Sequence, residues 1–92
     1  MTEIKTLKKI DAASAPKLDA QLKSLLEAGE TEIIVDMEDT TYNSSVGLRA
    51  FASTQKKLNK TTGTMLLRNV QPCIREIFEI TGFGGVLNIE ED

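Results

Sequence analysis

Short apolar runs that alternate with helix-like segments constrain the fold of this chain more than any other feature of its sequence. The runs Ile33-Ile34-Val35 and Met65-Leu66-Leu67 are typical of β-strands that other elements cover on both faces. Each run is followed by a segment whose apolar residues recur with the period of an α-helix. Strands that alternate with helices predict an α/β fold, in which right-handed crossovers join the strands of a mostly parallel sheet.

Three segments carry the signals of helices. The first begins near Pro16 and stops at Gly29, a residue type that ends helices in the left-handed conformation. The second runs from about residue 45 to residue 60, and the third starts at Pro72. The first helix places its large apolar residues on one face: Leu18, Leu22, Leu25 and Leu26.

Weaker patterns near both ends of the chain complete the predicted order. Residues 2–9 lack clean alternation and are interpreted as an edge strand, and residues 86–89 as a short final strand. Gly82, Gly84 and Gly85 follow a helix instead of a strand, so they predict a helix-exit turn and not a dinucleotide-binding loop. The predicted order is β-α-β-α-β-α-β, with about four strands and three helices in a single domain of residues 1–92.

Histidine is absent from the 92 residues, and this absence removes many classes of enzyme. The chain lacks the base of a Ser-His-Asp or Cys-His site, and it lacks a histidine metal ligand. The acidic run Asp36-Met37-Glu38-Asp39 lacks the spacing and the glycine of a calcium loop. We therefore expect a protein that is not an enzyme and that holds no metal and no cofactor.

Charge, cysteine content and hydropathy limit the classes of partner and the cellular location that are expected. The net charge of −3 argues against nonspecific binding to nucleic acid. The chain has a single cysteine, Cys73, which fits a reducing compartment. Its position at a helix start could stabilise a reactive thiolate, but a buried or inert thiol is the preferred interpretation. No apolar run approaches the roughly 20 residues that span a bilayer, and no signal peptide precedes the first strand. A cytoplasmic location without membrane insertion is expected.

The polar segment between the first apolar run and the second helix is the candidate functional site. Asn43, Ser44 and Ser45 are residue types that cap helix N-termini. A hydroxyl there faces free backbone N–H groups and accepts an anion or a phosphate on the serine itself. Taken alone, such a serine is more often only an N-cap, and the rest of the segment argues for a further role. Glycine costs about 1 kcal/mol relative to alanine inside a helix, so Gly47 predicts close approach by another element or by a partner.

The segment from Tyr42 to Arg49, preceded by Ile34-Val35-Asp36-Met37, resembles the signature of STAS domains of the bacterial anti-sigma factor antagonist type. In that family an apolar-Asp-apolar strand end leads to Asp/Ser-Ser-x-Gly-Leu at the second helix. Residues 10–16 (IDAASAP) and 77–83 (IFEITGF) resemble the entry of its first helix and the exit of its third. Family members usually carry an extra first strand and often a final helix, and this sequence shows neither.

The resemblance implies a partner switch. The unphosphorylated protein would bind an anti-sigma factor that is also a serine kinase and so release a sigma factor. Phosphorylation would end the binding, and a serine phosphatase would reset it. The family's phosphorylated serine corresponds to Ser45; Ser44 is the second choice because it stands where the family often has Asp. The alternative is a constitutive STAS subunit of a transporter or other complex, without phosphorylation.

By the same resemblance, eight residues are expected at the partner-binding surface: Asp11, Tyr42, Asn43, Ser44, Ser45, Gly47, Leu48 and Arg49. Two of them have a local alternative. Asp11 could be a capping carboxylate of the loop before the first helix. Arg49 could form an internal ion pair with Asp36 or Asp39 instead of facing a partner.

Overall fold

The computed structural model of the protein describes residues 2–82, 85 and 87–90. The elements in chain order are β1 (Thr2–Lys5), β2 (Lys9–Ile10), α1 (Ala15–Glu27), β3 (Glu32–Asp36), β4 (Tyr42–Asn43), α2 (Ser45–Lys60), β5 (Thr64–Arg68), α3 (Pro72–Ile80) and β6 (Asn88–Ile89). None of the helices in these residues is long and apolar enough to cross a membrane.

Four strands form one parallel sheet in the order β1-β3-β5-β6. The central pair, β3 and β5, is in register from Glu32 opposite Thr64 to Asp36 opposite Arg68. One face of these strands is fully buried, whereas Ile34 and Leu66 on the alternate face are only partly covered. The predicted α/β fold, with about four mostly parallel strands and three helices, is confirmed.

The helix boundaries follow the local signals in the sequence. α2 spans the predicted residues, and α3 begins at Pro72 as expected. Gly29 has a φ of +85° directly after the last turn of α1, which confirms it as the helix stop. The main hydrophobic core takes side chains from all three helices and the sheet, and its largest fully buried members include Leu22, Phe51, Leu58, Ile74 and Phe78.

Two predicted end strands are shorter in the structure than in the sequence interpretation. β1 ends at Lys5 because the chain leaves the sheet at Thr6, and residues 9–10 pair instead with β4. β6 is observed at Asn88–Ile89, while Val86 lies outside the described residues, as does Gly84 of the predicted helix-exit turn. Gly82 has a φ of +81°, which agrees with a turn after α3.

The short parallel ribbon of β2 and β4 was not predicted, and it positions the candidate site. Its register places Lys9 opposite Tyr42 and Ile10 opposite Asn43. Both strands follow the carboxyl ends of sheet strands, β2 after β1 and β4 after β3. The ribbon thereby delivers the chain from this edge of the sheet directly into the first turn of α2.

Candidate functional site

The two adjacent serines at the start of α2 have different environments. Ser44 is the N-cap, and its Oγ accepts a hydrogen bond from the Gly47 N–H at 3.3 Å. Ser45 is the first helical residue and is exposed, and its hydroxyl has no hydrogen-bond partner among the residues that the structure describes. The hydroxyl that is open to another protein is therefore that of Ser45, while that of Ser44 serves the helix.

Backbone hydrogen bonds fix the segment that carries these serines. The Ser44 N–H donates to the carbonyl oxygen of Ile10 at 2.7 Å, and the Thr41 N–H donates to that of Lys8 at 2.8 Å. These bonds flank the pairing of β2 with β4. The segment that leads into α2 is thus held by hydrogen bonds to the β2 segment before it enters the helix.

Gly47 is buried because another part of the fold lies against the first turn of α2. A Cβ at this position would lie 2.6 Å from Cγ2 of Ile10 and would also overlap Oδ1 of Asn43. Both neighbours are themselves buried. Of the two explanations for this glycine, close approach by another element of the fold is the one that the structure supports.

Asn43 is a buried polar residue whose amide is unsatisfied. Its side chain is only 4% exposed, and neither Oδ1 nor Nδ2 has a hydrogen-bond partner in the described part of the chain. A buried polar group without a partner costs about 1–3 kcal/mol. The sequence placed Asn43 among the helix-capping residue types and at the expected partner surface, whereas the structure buries it under the first turn of α2.

The exposed layer of the site combines apolar, hydroxyl and cationic groups. Tyr42 is 48% exposed and Val46 is 42% exposed, on either side of the two serines. Val46 and Arg49 also line a groove of about 320 Å³ next to Pro16 of α1. Sequence reasoning missed Val46, although an apolar residue beside two serines at a helix start was a usable signal. Beneath this layer lie the buried members of the predicted set: Asn43, Gly47 and Leu48.

The ion-pair alternative for Arg49 is wrong. The carboxylate of Asp36 accepts from the Glu38 N–H at 3.0 Å and from the Asn69 amide at 3.2 Å. Asp39 pairs instead with Lys5 at 3.3 Å. Arg49 is exposed and forms no ion pair within the described residues, so its guanidinium is available to other groups.

The structure agrees with the local alternative for Asp11, in which its carboxylate caps the loop before α1. Its Oδ1 accepts from the N–H of Ser14 at 2.9 Å, the hydroxyl of Ser14 at 3.1 Å and the N–H of Ala13 at 3.0 Å. The backbone and side-chain hydrogen bonds from Ser14 hold the pKa of Asp11 below its ordinary value. Asp11 is next in sequence to Ile10, whose carbonyl oxygen accepts from the Ser44 N–H, so Asp11 lies close to the candidate site. Its part in a partner surface stays a prediction.

Cys73 is exposed, so of the expected buried or inert thiol the buried alternative is wrong, and an inert thiol stays a prediction. Its Sγ lies 3.9 Å from the carbonyl oxygen of Thr41, at the start of the segment that leads into β4. In the described part of the chain, no group of three or more histidine, cysteine, aspartate or glutamate residues could hold a metal ion.

Comparisons with known proteins match most of the chain. The family model of the STAS domain matches residues 4–92. The chain is 35% identical over 74 residues to BtrV of Bordetella bronchiseptica, an alignment that covers 80% of this chain and 64% of BtrV. It is 30% identical over 89 residues to the anti-sigma-B factor antagonist of Staphylococcus aureus, covering 97% of this chain and 82% of the relative.

Solved structures show the same fold. Unphosphorylated SpoIIAA, an anti-sigma factor antagonist, superimposes with a TM-score of 0.78 at 22% identity, covering 99% of this chain and 80% of SpoIIAA. SpoIIAA, a Bacillus cell fate determinant, is also known in its phosphorylated form. On the family match and the identity with the staphylococcal protein, the chain belongs to the STAS domain family, among relatives that are anti-sigma factor antagonists.

Proposed function

We propose that this protein is an anti-sigma factor antagonist whose binding is switched by phosphorylation of Ser45. Unphosphorylated, it binds an anti-sigma serine kinase through the exposed surface around the start of α2 and so frees a sigma factor. The observation that carries the proposal is the pair of serines: Ser44 caps the helix, and Ser45 beside it presents an exposed hydroxyl with no hydrogen-bond partner within the described residues. The staphylococcal relative and the two forms of SpoIIAA support it.

The choice of Ser45 over Ser44 follows from the cost of modifying each. Phosphorylation of Ser44 would use the oxygen that already accepts from the Gly47 N–H, so the kinase would first have to break a capping bond worth about 1 kcal/mol. A phosphate on Ser45 would lie at the positive end of the helix dipole, a location that stabilises an anion by about 0.3–1 kcal/mol. Arg49, four residues further on the same helical face, adds about 0.2–0.5 kcal/mol as an i,i+4 partner.

The same phosphate would prevent docking. It brings a charge of about −1.5 to −2 into the surface formed by Tyr42, Val46 and Arg49. The single charge of Arg49 leaves part of this negative charge uncompensated. Burying an uncompensated charge in an interface costs several kcal/mol, and each 1.4 kcal/mol is about tenfold in affinity. This penalty exceeds the gain at the helix end, so the phosphorylated protein stays folded and loses its partner.

The chain itself supplies the acceptor and the binding surface, and the partner supplies the catalysis. The sequence contains no histidine to deprotonate Ser45. The kinase must therefore provide the base, the ATP and the metal ion, while a separate serine phosphatase removes the phosphate.

The test is the intact mass of the protein after incubation with ATP, magnesium and each candidate anti-sigma kinase from the same genome. One added phosphate on the wild type and on Ser44→Ala, but none on Ser45→Ala, is the expected result. Loss only in Ser44→Ala would keep the switch and move its site. A stable complex with a kinase homologue or transporter subunit, without any modification, would favour a constitutive subunit instead.

A further inference from the structure

A second exposed apolar side chain lies close to the candidate site, on the loop that joins β1 to β2. Leu7 is 63% exposed. Its loop is nevertheless well fixed: the Thr6 N–H donates to the carbonyl of Asp36 at 3.0 Å, and the buried Thr40 hydroxyl donates to the carbonyl of Leu7 at 2.7 Å. The hydroxyls of Thr6 and Thr40 are also hydrogen-bonded to each other. The fold thus holds a large apolar side chain in solvent on an ordered backbone.

A groove of about 190 Å³ lies between this loop and α1. Leu7, Ile10 and Leu18 are its apolar lining, and Lys5 and Lys17 belong to the same lining. Pockets for drug-sized ligands and cofactors occupy about 300–1,000 Å³, so a groove of this size suits one or two side chains of another protein. We refer to this feature, defined by these five residues, as the Leu7 groove.

Three lysines that are unpaired in the described part of the chain adjoin the Leu7 groove, although the whole chain has a net charge of −3. Lys8, Lys9 and Lys17 are exposed and form no ion pair among the described residues. Asp19 is paired with Lys23, and Asp39 is paired with Lys5. Asp11 keeps its charge in hydrogen bonds with Ser14, and Glu38 forms no ion pair within the described residues, so the unpaired lysines outnumber the unpaired carboxylates by three to two. Three cations beside an apolar groove are complementary to a segment that combines carboxylates with an apolar side chain.

The Leu7 groove is continuous with the surface around Ser45. Ile10 lines the groove, and its carbonyl oxygen accepts the hydrogen bond from the N–H of Ser44. On the same ribbon, Lys9 stands opposite the exposed Tyr42. A protein that covers the start of α2 therefore reaches the groove by extending across the width of two paired strands.

We propose that the Leu7 groove is a second docking contact for the kinase that recognises Ser45, and that it receives an acidic segment of that kinase bearing an apolar side chain. The proposal rests on the proposed function, because the occupant is the same partner. It assigns Leu7 and Lys17 to binding, and it explains why an exposed leucine is held in place by two buried threonines.

Calorimetric titration of the kinase that phosphorylates Ser45 tests the proposal with two variants and two matched controls. Leu7→Ser and Lys17→Glu should each weaken binding about tenfold, the size of one interface anchor. The controls should stay within about twofold: Ile80→Ser, at an even more exposed apolar residue that ends α3, and Lys56→Glu, at an exposed helix lysine. Lys17→Glu should also flatten the fall of affinity with salt.

Three results would overturn the proposal, and they are distinguishable. Wild-type affinity in both Leu7→Ser and Lys17→Glu, with Ser45 still phosphorylated, would reject the groove and leave the proposed function intact. Absence of binding and phosphorylation of the wild type by every candidate kinase would reject both. A wild-type dimer in sedimentation analysis that Leu7→Ser dissociates would show that a second copy of the chain occupies the groove.

Discussion

The starts of α2 and α3 resemble each other in position and differ in almost everything around them. Each helix follows a central strand of the sheet, and the first turn of each carries an exposed side chain with a potential nucleophile, Ser45 or Cys73. The start of α2 has a side-chain cap and a paired ribbon beside it, whereas the cap residue of α3, Gln71, makes no capping bond. A helix N-terminus is thus not a site by itself; the elements packed against it make the difference.

Substitution of Gly47 gives the largest expected contrast between the two helix starts. In Gly47→Val the new side chain would overlap Ile10 and Asn43, and overpacking of this kind costs up to about 3 kcal/mol of unfolding free energy. Cys73→Val, which places the same residue at the exposed start of α3, should stay within about 0.5 kcal/mol. Urea unfolding of both variants measures the contrast, and equal stabilities would show that the ribbon does not constrain α2.

The asparagines that precede the two helices should respond in opposite directions. Asn43→Leu replaces an unsatisfied buried amide by an apolar group of similar shape and should raise the unfolding free energy by about 1 kcal/mol. Asn69 has a φ of +57° and donates to Asp36 at 3.2 Å, so Asn69→Leu should lower it by about 1–2 kcal/mol. Thermal and urea unfolding test the signs; destabilisation by Asn43→Leu would mean that its amide is satisfied in solution.

Removal of the cap residues tests the capping difference itself. Ser44→Ala loses the bond to the Gly47 N–H and should cost about 1 kcal/mol. Gln71→Ala loses only an exposed bond to the carbonyl of Glu38 and should cost less than about 0.5 kcal/mol. A larger loss in Gln71→Ala, measured by urea unfolding, would contradict the assignment of Ser44 as the structural serine.

The start of α1 offers the smallest effect, a dependence on pH. Because hydrogen bonds from Ser14 lower the pKa of Asp11 in the folded state, its ionised form adds stability above the ordinary aspartate pKa of about 3.9. That stability is lost as the pH falls through the folded pKa. The difference in unfolding free energy between wild type and Asp11→Asn should therefore shrink on acidification below about pH 4. A difference that is constant with pH would show that ionised Asp11 does not stabilise the folded protein.

Local signals in the sequence were sufficient for much of the fold. Gly29, Pro72 and the polar run before residue 45 mark helix boundaries through the conformation or hydrogen bonding of single residues, and the structure has these boundaries where they were predicted. The composition of the apolar runs at residues 33–35 and 65–67 predicted two strands of the sheet, although one face of each strand is only partly covered and not buried on both faces as expected.

The ribbon and the layering of the site depend on contacts between distant parts of the chain. β2 and β4 are two residues long, too short for a periodic pattern, and they exist because residues 9–10 meet residues 42–43. The sequence left open whether Gly47 served the fold or a partner, and only the position of Ile10 distinguishes the two. The fixed exposure of Leu7 likewise depends on Thr40, 33 residues away.

The central claim is that a phosphate on Ser45 ends binding without unfolding the protein. The most direct measurement compares the affinity of the kinase for the wild type and for protein with phosphoserine incorporated at position 45, with phosphoserine at the exposed position 24 of α1 as the control. The account predicts a loss of at least about 100-fold at position 45, corresponding to a penalty near 3 kcal/mol, and little change at position 24. Equal affinity of the phosphorylated and unphosphorylated forms, both folded by circular dichroism, would contradict it.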